Sequence, residues 1–248
     1  MNCFSFPFLF IVYFLLIKYP ITGYAQENNP ERKVNYHELY KSVQEEYGFD
    51  QVLVNGIFYE DYYRNAIGHP FFLENQFYTG TLVFRNKRYE NIKMKYDIYE
   101  QQLVIYYVLF NSNVWVILPN DFISEFSLNG KTFRKYSFGE ENSEFYQVIY
   151  DSKNLKCLYS WTKSRTDSYH QRTYNSYKFS DSKMKSYLFL DNALNEFYNN
   201  NSFVKIFPQA FQDRIKKYIK SNKIKVRVND EQTTKLLIYC NELISAGE

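Results

Sequence analysis

The chain is poor in the residues that build metal sites and disulfide scaffolds. Its 248 residues include three cysteines, three histidines and eight glycines. No Cys-x-x-Cys, His-x-x-x-His or His-Glu-x-x-His spacing occurs, which argues against a local zinc site. The glycine-rich loops that bind nucleotide phosphates are also missing, so we expect no cofactor. Two cysteines beyond the first 25 residues are too few for a disulfide-stapled domain.

A large excess of one charge is absent as well. Thirty basic and 27 acidic residues leave a net charge of +3. A chain this close to neutrality is not a dedicated polyanion binder, and we expect no nucleic-acid partner. Aromatic residues, by contrast, are abundant, with 26 tyrosines and 23 phenylalanines.

Residues 1–25 have the organisation of a secretory signal peptide. An apolar run at residues 4–17 precedes the small-residue end Gly23-Tyr24-Ala25, and we place cleavage after Ala25. The run is shorter than the roughly 20 apolar residues that cross a bilayer. No lysine or arginine precedes it, so an uncleaved anchor is the alternative. We expect an extracytoplasmic protein in the periplasm, at the cell surface or secreted.

Hydrophobic periodicity changes twice along the remaining chain. Residues 34–47 repeat at helical spacing, and Gly48 is suited to end that helix. After Phe71 an alternating pattern dominates, with turn sequences such as Asn129-Gly130 between short apolar runs. The strands predicted in this region are residues 92–98, 103–110, 114–118, 123–128, 132–136, 145–150, 155–161, 174–179, 186–190 and 203–207.

Helical spacing returns near the end. Pro208 suits a first helical position, and Asn229 and Asp230 are candidate caps of a last helix. The sequence therefore predicts an α+β, mainly β fold. We expect an antiparallel meander, sandwich or open barrel with one N-terminal and two C-terminal helices. No linker divides the chain, so residues 26–248 are interpreted as one β-rich domain with a helical pair at 208–246.

His69 is the candidate for catalysis, because Gly68-His69-Pro70-Phe71-Phe72 is the most distinctive short string. A histidine held in a rigid loop beside aromatic rings can act as a base. The simpler interpretation is a turn that leads into a strand, with the phenylalanines in the core. No Gly-x-Ser-x-Gly nucleophile motif accompanies it. A glycosidase needs two carboxylates across a cleft. The candidates are Glu60 with Asp61, Asp97, and Glu140 with Glu141, and their spacing in the sequence favours none of them.

Lysine and arginine occupy seven of the fourteen positions from 214 to 227. Lys216, Lys217 and Lys220 on the predicted helix could bind an anionic surface, including that of a membrane. The alternative is the solvated side of an amphipathic helix. Peripheral membrane contact is therefore one expectation for this segment.

Cys157 and Cys240 could pair as a disulfide in an oxidising compartment. The alternative is two separate buried thiols, since each lies on an apolar face.

Tyrosines on the predicted strands are a further candidate contact surface, because alternation places some of them in solvent. Cross-strand packing is the simpler explanation. The tyrosines concerned are Tyr96, Tyr99, Tyr106, Tyr107, Tyr146, Tyr150, Tyr159, Tyr174 and Tyr177.

Several strings together resemble a group of exported β-rich proteins from Gram-negative bacteria with AT-rich genomes. They are Val54-Asn55-Gly56, residues 68–72, Phe77-x-x-Gly80 and residues 89–97. The resemblance covers most of the mature chain and implies a β-rich body followed by a basic helix and a short terminal helix. That group has no assigned activity, so the resemblance implies no catalytic residue.

Three functions remain open from the sequence. The first is a non-enzymatic extracytoplasmic protein that binds a protein, glycan or lipid partner through one face or rim of its sheet. The second is an extracytoplasmic hydrolase that uses His69. The third is a carrier of an apolar ligand, which requires an apolar cavity of several hundred Å3.

Overall fold

A computed structural model of the chain describes Leu53 and residues 56–109, 112–138, 143–170 and 173–246. The predicted signal peptide and the predicted helix at 34–47 lie outside the described residues. So do Glu140 and Glu141. The described part confirms a mainly β α+β fold with a large antiparallel sheet and C-terminal helices.

Thirteen strands and three α-helices occur in the described part of the chain. The strands are β1 Ile57–Phe58, β2 Tyr78–Phe84, β3 Lys87–Asp97, β4 Gln102–Leu109, β5 Ser112–Leu118, β6 Ile123–Leu128, β7 Lys131–Tyr136, β8 Glu144–Asp151, β9 Leu155–Thr162, β10 Arg165–His170, β11 Thr173–Phe179, β12 Lys183–Leu190 and β13 Ala193–Phe197. The helices are α1 Asn200–Lys205, α2 Gln209–Ser221 and α3 Asp230–Ser245.

Eleven strands form one open sheet in the order β1-β5-β4-β3-β2-β6-β7-β8-β9-β12-β13. Every pair of neighbours is antiparallel. Strands β2–β5 and β6–β9 each form a meander, and the two meanders join where β6 pairs with β2. Strands β10 and β11 form a separate hairpin between β9 and β12.

The sheet folds over on itself around β3. A 3-10 turn, Asn120–Phe122, links β5 to β6. Its Asn120 Nδ2 donates to Gln101 O (2.7 Å), and its Phe122 O accepts from Arg85 N (2.8 Å). Arg85 precedes β3 and Gln101 follows it. The two ends of a straight strand of eleven residues would lie about 33 Å apart. The strand must therefore bend, and it does so at Asn91 (φ 58°), beside a register shift in its pairing with β2.

Alternation explains how β3 faces the core. Ile92, Met94 and Tyr96 are buried, whereas Lys93 is exposed and Lys95 is half-buried. The predicted strand at 92–98 is thus confirmed, and it begins earlier than predicted. The predicted turn Asn129-Gly130 is also confirmed, with both residues in the left-handed conformation (φ 48° and 73°) that a two-residue hairpin turn requires.

Two hydrophobic clusters lie on the inner face of the sheet. The first lies between the strands of β2–β8 and is rich in aromatic rings, including Phe72, Tyr96, Phe126 and Phe133. The second lies between β9, β12, β13 and the helices. Trp161 packs against both clusters.

The predicted strand at 203–207 is wrong, because this segment enters helix α1. Asn199 caps the helix by accepting from Ser202 N (2.9 Å), and the Ser202 hydroxyl accepts from Asn199 N (3.0 Å). Phe203 and Phe207 are four residues apart and both buried, which is helical spacing. The predicted helices at 208–246 are confirmed as α2 and α3, and Asn229 caps α3 as predicted.

Candidate functional site

The register of four strands gathers aromatic side chains on the outer face of the sheet. Phe133, Gln147 and Tyr159 are successive cross-strand partners on the inner face of β7, β8 and β9. Their chain neighbours Arg134 and Tyr146 therefore point outward. On the same outer face, Leu158 of β9 pairs with Tyr187 of β12, and Lys156 pairs with Phe189.

Five rings on this surface contact one another. Phe138 lies at the centre, with ring centroids 5.8 Å from Tyr136, 5.8 Å from Tyr146 and 5.3 Å from Phe189. Tyr146 lies 6.0 Å from Tyr187 with the two rings nearly perpendicular. These separations are those of favourable aromatic pairs. We refer to the five residues as the aromatic face.

A cavity of about 530 Å3 opens beside the aromatic face. Phe138 and Phe189 provide its apolar walls, and Lys156 and Asn192 provide polar groups. Asn192 is placed there by the turn between β12 and β13, where it has a φ of 59°. A second cavity of about 440 Å3 is lined by Tyr136 and, like the first, by Ser137. Both volumes are in the range of small-ligand sites.

A network of paired charges borders the rings. Arg134 donates to Glu125 Oε2 through Nε (3.0 Å) and Nη2 (2.8 Å), and its Nη1 contacts Asp151 Oδ2 at 2.5 Å. Asp151 also accepts from Tyr136 Oη (2.9 Å) and forms an ion pair with Lys156. Burial opposes ionisation of Asp151, but Lys156, Tyr136 and Arg134 together lower its pKa. Burial and the hydrogen bond to Asp151 raise the pKa of Tyr136 to about 12, so its hydroxyl stays protonated.

The charges of these four side chains sum to zero. Arg134 and Lys156 balance Glu125 and Asp151, and each is partly exposed, with 23–39% of the side chain accessible. The border of the aromatic face therefore offers hydrogen-bonding groups without a net charge.

His69 lies elsewhere, in the loop between β1 and β2, and it lines neither cavity of the aromatic face. Its ring stacks on Phe71 at a centroid distance of 6.2 Å. Lys163 Nζ donates to His69 O (2.8 Å) and lies 3.4 Å from His69 Nδ1. Burial and then the positive charge of Lys163 lower the pKa of His69, which favours the neutral imidazole.

The residues that follow His69 have a structural role. Phe72 N donates to Tyr96 O (2.8 Å), and Ile98 N donates to Pro70 O (3.0 Å), so residues 70–72 pair with the end of β3. Phe72 enters the first cluster, whereas Phe71 lies on the opposite side beside His69.

Lys216, Lys217 and Lys220 are exposed on α2, opposite the buried Ile215 and Ile219. They lie outside both cavities of the aromatic face.

Cys157 and Cys240 are free thiols buried in the second cluster. A disulfide between them is not formed in this structure. Burial raises the pKa of both thiols, that of Cys240 to about 12, which disfavours the reactive thiolate.

Of the tyrosines singled out from the sequence, Tyr146 belongs to the aromatic face, where it is 9% exposed. Tyr96, Tyr107 and Tyr159 are more deeply buried and lie outside this set of rings. No pattern in the sequence singles out the other members, Tyr136, Phe138, Tyr187 and Phe189. Alternation along β7 and β12 was the available signal, but it gives no information about which outward residues of different strands become neighbours.

Comparison with protein-family models, curated proteins and solved structures finds no match to this chain. Within the described residues, no group of three or more His, Cys, Asp or Glu side chains could hold a metal ion. None of the helices in that part of the chain combines the length and the apolar character needed to cross a membrane.

Proposed function

We propose that this chain is an extracytoplasmic, non-enzymatic binding protein that holds a neutral glycan on its aromatic face. The observation that carries the proposal is the set of five contacting rings beside a cavity of about 530 Å3. Rigid aromatic rings provide contact area at low entropic cost, and tyrosine adds a hydrogen-bonding group. The C–H faces of a sugar ring fit such a surface.

The charges at the border favour an uncharged ligand. Arg134, Glu125, Asp151 and Lys156 neutralise one another, so an ionic ligand would have to compete with existing ion pairs. Their remaining lone pairs and N–H groups can bond to hydroxyl groups. Asn192 adds an amide at the edge of the larger cavity. An apolar platform with a few polar groups at its border is the usual composition of a ligand site.

The close packing of the interior favours binding at the surface and does not favour a carrier of an apolar ligand. Phe133 packs against Phe126 at 4.9 Å, against Phe72 at 5.2 Å and against Tyr96 at 5.2 Å. These rings occupy the region where an apolar ligand would have to lie. The hydrolase alternative is supported less well, because His69 lines neither cavity of the aromatic face.

The test is binding of the purified protein to an array of neutral oligosaccharides, followed by calorimetry with a glycan that is retained. We expect the double variant Phe138→Ser/Phe189→Ser to lose at least about tenfold in affinity, since buried aromatic contacts dominate binding energy. Phe58→Ser is the matched control, because Phe58 is 69% exposed on β1 and lines neither cavity.

Failure of the wild-type protein to bind any neutral glycan would overturn the proposal. Equal losses in the double variant and in Phe58→Ser would also overturn it. Thermal unfolding followed by circular dichroism establishes that each variant is folded at the temperature of the assay.

A further inference from the structure

The net positive charge of this chain comes from one segment. Residues 205–228, which cover the end of α1, all of α2 and the loop after it, contain eight basic residues and one acidic residue. Their net charge is +7, whereas the whole chain has +3, so all other residues together have −4. A separation of this size produces a local positive potential despite the small total charge.

The lysines of this segment face solvent. Ile215 and Ile219 are buried in the second cluster and fix which side of α2 faces the protein. The one acidic residue, Asp213, contacts Lys216 at 3.2 Å. The exposed lysines of α2 and of the loop after it are Lys216, Lys217, Lys220, Lys223 and Lys225.

The loop after α2 is held against the start of α1. Asn200 Nδ2 donates to Ile224 O (2.7 Å), and Asn200 Oδ1 accepts from Val226 N (3.0 Å). Ile224 and Val226 are both buried, and Lys225 between them is exposed. The loop therefore presents its lysines from a defined backbone position.

Two residues beside this loop have exposed apolar side chains, Tyr198 and Val228. Arg227 Nη1 donates to Tyr198 O (2.9 Å), and Arg227 Nη2 donates to Met184 O (2.9 Å), so the loop lies beside Tyr198, two residues before α1. Tyr198 is 61% exposed and Val228 is 77% exposed. We refer to this surface as the basic ridge, which consists of Tyr198, Lys216, Lys217, Lys220, Lys223, Lys225 and Val228.

We infer that the basic ridge docks on an anionic phospholipid bilayer. Lysines near an anionic leaflet are attracted to its surface potential. A soluble polyanion could use the same charges, but it offers no apolar environment to Tyr198 and Val228. The interfacial region of a bilayer accepts both, because a tyrosine ring and an aliphatic side chain partition there beside lysines. No ridge residue lines the cavities of the aromatic face, so this inference does not depend on the proposed glycan function.

The experiment measures sedimentation of the exported, purified protein with vesicles of phosphatidylcholine, with and without phosphatidylglycerol. We expect binding to the anionic vesicles alone, weakened by high salt. Each lysine near the surface contributes about fivefold in affinity, so Lys216→Glu/Lys217→Glu/Lys220→Glu should lower the partition coefficient at least about a hundredfold.

A second variant tests the apolar contribution. Tyr198→Ser/Val228→Ser should lower the partition coefficient on anionic vesicles about tenfold while the salt dependence is retained, since burial of apolar area is not screened by salt. The matched control for the charge reversals is Arg64→Glu/Lys93→Glu/Lys178→Glu, which changes three exposed basic residues of the β-rich part. We expect the control to retain most of the vesicle binding.

Three outcomes would overturn the inference. The wild-type protein could fail to sediment with anionic vesicles, or the control could lose as much binding as the ridge variant. In the third, Tyr198→Ser/Val228→Ser binds vesicles normally and dextran sulfate displaces the protein, which would favour a soluble polyanion. Circular dichroism establishes that the variants are folded. Glycan binding is measured on the same variants, so that loss of membrane docking can be distinguished from failure of the proposed glycan function.

Discussion

Replacing Asp97 by asparagine is expected to stabilise the protein above about pH 6, because this carboxyl is buried. Asp97 is 3% exposed at the end of β3, and its Oδ1 accepts from Tyr99 N (2.9 Å) and Glu100 N (2.8 Å). Burial raises the pKa of Asp97 to about 6, although the two backbone bonds and Lys163 oppose the rise. The amide oxygen of asparagine can accept the same two bonds, so the turn after β3 should be preserved.

The magnitude follows from proton linkage. The carboxyl of an unfolded aspartate has a pKa of about 3.9. Between about pH 4 and pH 6 the native state binds more protons than the unfolded state, so the free energy of unfolding falls as the pH rises. Above pH 6 the cost of ionising Asp97 is complete, and a shift of two units corresponds to about 3 kcal/mol. Below pH 4 the carboxyl is protonated in both states and contributes no pH dependence.

The assay is urea unfolding of both proteins near pH 4 and near pH 7.5, followed by the fluorescence of Trp115 and Trp161. Asp97→Asn should match the wild type at the lower pH within about 1 kcal/mol and exceed it by about 3 kcal/mol at the higher pH. Asp213→Asn is the control, since Asp213 is an exposed carboxylate on α2. A stability difference between Asp97→Asn and wild type that is the same at both pH values would refute the reasoning.

Three further substitutions test the core and the inner polar contacts by urea unfolding. Phe133→Ala should cost about 3–5 kcal/mol, because Phe133 is fully buried in the first cluster; a cost below about 1 kcal/mol would contradict that packing. Gly80→Ala should cost about 3 kcal/mol or more, since its Cβ would lie 1.9 Å from Ser127 O; a neutral result would mean that the two strands separate easily. Gln147→Leu should cost about 2 kcal/mol, because Gln147 is 2% exposed and its Oε1 accepts from Trp161 Nε1 (2.8 Å); unchanged stability would show that the indole finds another acceptor.

Local patterns in the sequence were sufficient for most of the elements. Alternation at residues 92–98 and the dipeptide Asn129-Gly130 predicted a strand and a hairpin turn that the structure confirms. Both features depend on residues that are close in the chain. The same holds for Asn229, which caps α3 as its position before the helical pattern indicated. The error at 203–207 arose because a short apolar run does not distinguish a buried strand from a buried helix. The reciprocal bonds between Asn199 and Ser202 favour the helix.

The candidate sites depend on contacts between residues that are far apart in the sequence. His69 was singled out because glycine and proline flank it, yet its charged neighbour is Lys163, 94 residues later. The aromatic face draws on β7, β8, β12 and the residues after β7, and no local pattern relates Phe138 to Phe189. The basic ridge was easier to anticipate, since Lys216 and Lys217 lie one helical turn before Lys220. Its apolar part, Tyr198 and Val228, was not, because the contact that brings the loop to Tyr198 comes from Arg227, 29 residues later.

By itself, the sequence determined where the period of hydrophobicity changes, where hairpin turns occur and where positive charge is concentrated. These properties follow from interactions between residues a few positions apart, which propensity and periodicity describe. Only the tertiary structure decided that β6 pairs with β2, that β12 pairs with β9 and that β3 bends across the first cluster. Strand order and register depend on the packing of all strands at once, because each pairing is stabilised by side chains that other strands contribute.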